Sequence, residues 1–328
     1  MKIPYVNIDI DKDRIRIFYT SDIHGSSVCF KKLLNAGKFY NADIVIVGGD
    51  LCGKLLVPIV YHDEDNAYQA SFQGRLLRIK TPNELEQLKE KIRMTGAYYV
   101  VLNKKELDRY SNEQAKHQLF LEIIQQSIKE WFLLAEEKLK NSNIAYLVMP
   151  GNDDPLEIDP LFEQTNVFIN PESKIIDING IYQIASTGYS NETPWKCPRD
   201  IREEELYDKI ETIISNITRF ETAIFNFHTP PYNSTLDLAP KLDENLKVVL
   251  EMGQPTYIPV GSKAVRKSIE KYQPLLGLHG HIHESRNAAY IGKTLCINPG
   301  SEYSEGILRG VIVDLYKKRV ERYLFTTG

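Results

Sequence analysis

With 328 residues, 42% of them hydrophobic and 26% charged, the chain has the balance of a globular protein able to bury a large core, which excludes intrinsic disorder. The net charge of −4, from 44 acidic against 40 basic residues, argues against nucleic acid as a partner, and no run of about 18 apolar residues offers a membrane span. Four scattered cysteines form no C-x-x-C pair, and Met1 to Asp9 lacks the apolar stretch of a secretory signal, so a cytoplasmic protein without a disulfide framework is expected.

Arg14 to Thr20 alternates polar and apolar residues before turning apolar, which predicts a strand running into the loop Ser21-Asp22-Ile23-His24-Gly25. A helical pattern follows from Ser27 to Gly37, with Phe30, Leu33 and Leu34 on one face. Asp43 to Val47 is a continuous β-branched run, typical of a strand buried on both faces, and ends in Gly48-Gly49-Asp50. A strand, helix, strand succession of this length implies a right-handed parallel crossover. Both strands then finish at the same edge of one sheet.

Between Cys52 and Asn141 the texture changes. Thr81-Pro82-Asn83-Glu84 has the form of a capping box with proline at the first helical position, opening a helix that stops near Gly96. Tyr98 to Leu102 reads as a strand. Asn112 to Lys140 reads as a long amphipathic helix with Leu119, Ile123, Ile124, Ile128, Phe132 and Leu133 on its apolar side. Residues 54–111 are expected to form a cap-like α+β insertion within a single domain spanning 1–328, and Tyr61-His62-Asp63-Glu64-Asp65 to be a solvated acidic loop.

Asn143 to Met149 is the third buried run, ending at Pro150-Gly151-Asn152-Asp153-Asp154. Lys174 to Ile178 and Ile181 to Ser186, joined across Asn179-Gly180, predict a hairpin with a two-residue turn. Ser186 to Arg199 is a loop rich in glycine, proline and asparagine that contains Trp195, and Asp200 to Asn216 a helix. Thr222 to Phe227 delivers His228 at a strand end. Gly261-Ser262 opens a helix to Tyr272, and the short run Leu275 to Leu278 precedes His279-Gly280-His281-Ile282-His283. Tyr290 to Ile297, Gly310 to Tyr316 and Val320 to Phe325 read as three closing strands.

Five predicted strand ends therefore carry carboxylate, amide or imidazole: Asp22 with His24, Asp50, Asn152, His228, and His281 with His283. Open α/β sheets form their ligand crevice at the carboxyl ends of strands, so these residues can converge despite their separation in sequence. Gly49, Gly151 and Gly280 each precede one of them and allow close backbone approach.

The series Asp22-Ile23-His24, Gly49-Asp50, Gly151-Asn152, His228 and Gly280-His281-Ile282-His283 resembles the calcineurin-like metallophosphoesterases, whose pattern is D-x-H, G-D, G-N-H-[D/E], H and G-H-x-H. The resemblance covers nearly the whole chain outside the insertion. It implies an α/β fold, a four-layer αββα sandwich of two mixed sheets flanked by helices. It also implies two divalent ions, with Mn, Fe, Zn or Ni all compatible with the ligand types. By position, Asp22, His24 and His283 would bind the first ion, Asn152, His228 and His281 the second, and Asp50 both. The implied reaction is hydrolysis of a phosphate ester by a hydroxide activated between the two ions. Asn298-Pro299-Gly300-Ser301 and the G-H-x-H motif are most similar to the small phosphodiesterase branch of that superfamily.

One position departs from the pattern. Asp153 stands where the family has the histidine credited with assisting the leaving group. A carboxylate beside two cations stays ionised and repels a dianionic phosphate more than a monoanionic diester. A small phosphodiester or nucleotide is therefore the expected substrate. The alternatives are a phosphomonoesterase, a nuclease and a non-catalytic scaffold. Asp154 is expected to orient Asn152 or a neighbouring histidine, while Trp195 either packs its loop or, with Arg199, stacks a base and holds a phosphate.

Overall fold

The computed structural model describes residues 14–328, together with the backbone of Tyr5 and Val6. The remainder of the Met1 to Asp9 segment, read above for its lack of an apolar stretch, lies outside the described residues.

Two sheets face each other. The first has six strands in the order Arg319–Thr327, Arg309–Tyr316, Arg14–Thr20, Ile44–Val47, Ala145–Val148 and Phe168–Ile169. Its centre is parallel, Arg14–Thr20 beside Ile44–Val47 beside Ala145–Val148, while Arg309–Tyr316 runs antiparallel at one side. The second sheet has seven strands, in the order Tyr5–Val6, Lys174–Ile178, Tyr182–Thr187, Ala223–Phe227, Leu276–Leu278, Thr294–Asn298 and Asn287–Ile291.

The strand Ile44–Val47 explains the layering, since none of its residues is more than 1% exposed. Ile44 and Ile46 join the core between the sheets, with Ile17, Leu147, Ile184, Ile224 and Leu276. Val45 and Val47, on the opposite face by the two-residue period of a strand, pack with Phe30, Leu33, Ile128 and Phe132. Those four belong to helices α1 (Ser27–Phe39) and α4 (Glu113–Leu139), which cover the outside of the first sheet. A third core joins Ala185, Phe225 and Phe227 to α5 (Glu203–Ile214) and α6 (Lys263–Tyr272) on the outside of the second. The result is the four-layer αββα sandwich. Among the described residues no helix is long and apolar enough to cross a membrane.

The segment after Gly53 builds a sheet of its own, in the order Arg75–Ile79, Ala67–Phe72, Leu56–His62 and Tyr98–Asn103. It packs on α2 (Pro82–Met94) through Val57, Ile59, Leu85, Leu88 and Ile92, and its strand Tyr98–Asn103 runs into the short α3 (Lys104–Arg109). The sequence reading found only the last of these strands. Pro58 in the run Leu56–His62 argues against a strand interior, but the antiparallel partner begins only at Ile59, so no ladder bond needs its missing N–H. Tyr61 and His62 thus end a strand, and the acidic residues after them form its exposed turn.

Three smaller expectations differ. Tyr290 to Ile297 is not one strand but parts of two, Asn287–Ile291 and Thr294–Asn298, reversing at Gly292 with φ +61. Asp200–Ile201 pairs with Ser190–Asn191, so the helix starts only at Glu203. Leu133 lies on the solvent side of α4, 66% exposed, whereas Trp131 beside it is buried against Phe30.

Candidate metal centre

The loops after the parallel strands lie side by side. The Asp22, His24 and Gly25 amides donate to the carbonyls of Gly49, Asp50 and Leu51, at 3.0, 3.0 and 2.7 Å, which zips the first loop to the second. Asp22, His24, Asp50 and His281 all adopt left-handed backbone, with φ of 58°, 37°, 53° and 65°. Such strain at four non-glycine residues is held by its surroundings and collects where function constrains geometry. At Gly151 a Cβ would collide with the Asp50 carboxylate, and at Gly49 with the His228 ring. Only glycine permits that closeness.

The fold brings the strand-end residues into one cluster. Donor atoms of Asp22, His24 and His283 lie within 4.8 Å of one another, as do those of Asp50, His228 and His281, and those of His24, Asp50 and Asp153. The Asp50 carboxylate stands between two of the histidines, Oδ2 being 3.5 Å from His24 Nε2 and 3.3 Å from His228 Nε2. Asp22 Oδ1 is 3.4 Å from His283 Nε2. Asn152 presents its amide oxygen 3.1 Å from His228 Nε2. Asp22, His24, Asp50, Asn152 and His228 are fully buried, while His281 and His283 are partly exposed and mark the open side.

The imidazoles are held by their far nitrogens. His228 Nδ1 donates to the Gly48 carbonyl at 2.8 Å, and His24 Nδ1 faces the Cys52 carbonyl at 3.3 Å, which leaves each Nε2 lone pair toward the cluster. Burial alone would raise the Asp22 carboxyl, but the bond from His283 and the charges of His228, His283 and His24 hold it well below the usual range. Burial pushes the Asp50 carboxyl up, with His228 opposing it and Asp153 and Asp22 adding to the push. His228 is raised despite burial, by Asp50 and Asp22, and gives up its Nε2 proton when a cation takes that position. Two buried carboxylates and four imidazoles facing one space attract positive charge, and they offer the mixed oxygen and nitrogen donors that suit a divalent transition-metal ion.

The remaining expected residues fall in different places. Asp153 is partly buried and touches the cluster; it pairs with Lys54, and Oδ1 accepts a bond from the Cys197 thiol at 2.7 Å. Asp154 orients neither Asn152 nor a histidine. Its carboxylate instead accepts the amides of Leu51, Cys52 and Gly151 at 2.9, 2.7 and 2.8 Å, fastening two ligand-bearing loops together. The orienting bond to Asn152 comes from Asp200, whose Oδ1 accepts from Nδ2 at 2.9 Å. Arg199 is 1% exposed and faces no substrate space: it pairs with Asp159 and donates to the carbonyls of Asp154 and Pro155. Trp195 is 63% exposed on the same loop.

Sequence reasoning missed Lys54, Cys197 and Asp200, and used Asn298-Pro299-Gly300-Ser301 only as a mark of resemblance. Asn298 Nδ2 donates to the carbonyls of Gly280 and Ile282 at 3.2 and 2.9 Å, and Ser301 Oγ to that of Asp22 at 2.6 Å. The turn thereby braces both histidine and aspartate loops.

Comparison with known proteins agrees with this architecture. The chain matches the family described as calcineurin-like phosphoesterase over residues 15–285. It is 34% identical over 156 residues to the protein MJ1162 of Methanocaldococcus jannaschii, an alignment covering 47% of this chain and 62% of that relative, less than two thirds of its length. One crystal structure is similar over 96% of this chain and 98% of its own, with a TM-score of 0.57 at 17% identity. The crystal structure of TT1561 of Thermus thermophilus is similar over the same shares, with a TM-score of 0.50 at 14% identity.

Proposed function

The chain belongs to the calcineurin-like phosphoesterase family of metal-dependent phosphoester hydrolases, and from that membership we propose that it hydrolyses a small phosphodiester or nucleotide with two divalent ions bound. Asp22, His24 and His283 would hold the first ion, Asn152, His228 and His281 the second, with Asp50 shared; Mn, Fe, Zn and Ni all suit these donors. Such ions supply Lewis acidity, which activates water and neutralises phosphate oxygens. The protein's own part is to fix the ligands: Gly48 sets the His228 ring, Asp200 turns the Asn152 amide, and Asp154 locks the loops.

The observation that carries the diester reading is Asp153. Its carboxyl would rise on burial, yet Lys54 and the Cys197 thiol hold it at about 2, so it is an anion at neutral pH. Lys54 and Asp153 together add no net charge beside the cluster. Nothing among these side chains compensates the second negative charge of a phosphomonoester, whereas a diester carries only one. A net charge of −4 likewise favours a small substrate over a polynucleotide.

The test is hydrolysis of bis-p-nitrophenyl phosphate and p-nitrophenyl phosphate after loading with Mn²⁺ or Ni²⁺. The expected outcome is a higher kcat/KM on the diester, with activity abolished by chelator and by Asp50→Ala. Equal rates in chelator and in metal would refute the metal-dependent reading, and a higher kcat/KM on the monoester would replace the diester with a monoester.

A further inference from the structure

Lys54 is not one of the family's strand-end residues, yet it follows directly on a firmly held stretch of backbone, Leu51 to Gly53. The Gly53 amide before it donates to the Tyr98 hydroxyl at 3.0 Å, and a Cβ at Gly53 would collide with the Gly96 carbonyl. Leu51 and Cys52, one step earlier, are fixed by Asp154. From this anchored point the lysine side chain reaches back to the Asp153 carboxylate, remaining 49% exposed where Asp153 is 17% exposed.

Asp153 is held from further sides. Its amide donates to Asp50 Oδ1 at 3.1 Å, and the Cys197 thiol donates to its carboxylate. Its carboxylate lies within 4.8 Å of donor atoms of His24 and Asp50, so its charge acts inside the cluster. The two partners therefore differ in freedom: the aspartate is fixed, and the lysine carries a flexible stem and the solvent-facing end.

We propose that Lys54 and Asp153 are the specificity-determining pair for phosphate charge, Lys54 binding a non-bridging phosphate oxygen and Asp153 disfavouring, by its own negative charge, substrates that bring a second one. The proposal rests on the phosphoesterase reading above. The Lys54 ammonium lies against the Asp153 carboxylate while half of its side chain stays in solvent, so it is free to swing. An ammonium can leave a carboxylate for a phosphate oxygen by rotation of its stem, whereas Asp153 has no comparable way to withdraw. A monoanionic diester can thus share the lysine with Asp153. A dianion bears more of the repulsion from that carboxylate than a monoanion does.

Four metal-loaded proteins test this: the unaltered chain, Asp153→Asn, Lys54→Met and Lys54→Arg. Three quantities are read: kcat/KM on the mono- and di-p-nitrophenyl esters, calorimetric affinity for inorganic phosphate, and bound metal per chain. Removing one neighbouring unit charge should move a dianion by about tenfold or more. Asp153→Asn is therefore expected to raise the monoester-to-diester ratio at least about tenfold and to tighten phosphate by a similar factor, with metal content unchanged. Lys54→Met should weaken phosphate by about tenfold and lower the ratio, and Lys54→Arg should restore most of both. A ratio and phosphate affinity in Asp153→Asn within about twofold of the unaltered chain would overturn the proposal. So would loss of bound metal in that variant, which would make Asp153 a metal ligand. Because the ratio is read relative to the unaltered chain, an unaltered enzyme that prefers monoesters would defeat the diester reading and leave this inference standing on its own result.

Discussion

Single residues divide by whether their chemistry is tied to a strand end. Asp22, Asp50, Asn152 and His228 could be singled out because each follows an apolar run, and a run predicts where its last side chain emerges. Asp200 gave no such signal. It lies 48 positions from Asn152, and only the loop that returns past the third strand brings its carboxylate to the Asn152 amide. Arg199 shows the opposite error: an arginine near a tryptophan in a polar loop suggested a phosphate contact, but its guanidinium is spent on Asp159 and two carbonyls. These bonds define a test. Among the described residues Asp200 alone accepts from Asn152 Nδ2 and so fixes which end of the amide faces His228, and loss of a bond that orients a ligand typically costs about 10–100-fold in metal affinity. Asp200→Ala is thus expected to weaken binding of the ion near Asn152 by about that factor in a competitive chelator titration, with the ion near Asp22 less affected. Unchanged affinity for both would remove Asp200 from the site.

At the scale of elements, the strands that were easiest to read are buried on both faces or carry a turn with its own chemistry. Asn179 and Gly180, at φ 53° and 66°, form the turn expected of that dipeptide between Lys174–Ile178 and Tyr182–Thr187. The reversal at Gly292 was missed because Tyr290 to Ile297 is apolar enough to pass for a continuous strand. Cross-strand charge was equally invisible. Asp314 lies opposite Arg16 on one neighbouring strand and Arg322 on the other, and its carboxylate accepts from both at 2.7 and 2.5 Å. Burial pushes that carboxyl up, but the two arginines more than offset it and lower its pKa below the ordinary 3.8. A folded-state pKa below the unfolded one stabilises the fold above pH 3.8, and the contribution fades as pH falls through the folded value. Asp314→Asn should therefore cost about 1–3 kcal/mol in urea unfolding at pH 7, and the gap to the unaltered chain should narrow below about pH 4. A gap independent of pH would mean that the pair contributes through packing alone.

For the whole molecule, the layered sandwich was legible because three parallel strands and a late antiparallel group leave few ways to bury their faces. The segment after Gly53 was less legible, its strands being short and partly exposed. The structure gives it a closer relation to the cluster than a distant cap would have. Ser26 Oγ donates to the Met94 carbonyl at the end of α2 at 2.8 Å, and the Tyr98 hydroxyl holds Gly53. Gly96, at φ +82, packs against the His24 carbonyl and the Tyr303 ring, and that ring lies 4.7 Å from the His24 imidazole. Excising residues 54–111 would remove this brace and Lys54 together, so it cannot separate a lid from a support. A single methyl can. At Gly96 an added Cβ must push against the carbonyl of a ligand-bearing residue, besides straining a left-handed backbone. At Gly74, in the same segment with φ +71, it meets nothing within 4 Å. Each alanine should cost about 1–2 kcal/mol of stability from backbone strain. Only Gly96→Ala should also weaken the ion held by Asp22, His24 and His283, by several-fold or more in a chelator titration, because His24 moves with its backbone. If Gly96→Ala and Gly74→Ala bind metal alike, the segment does not support the His24 loop and its contact with the sandwich is only packing.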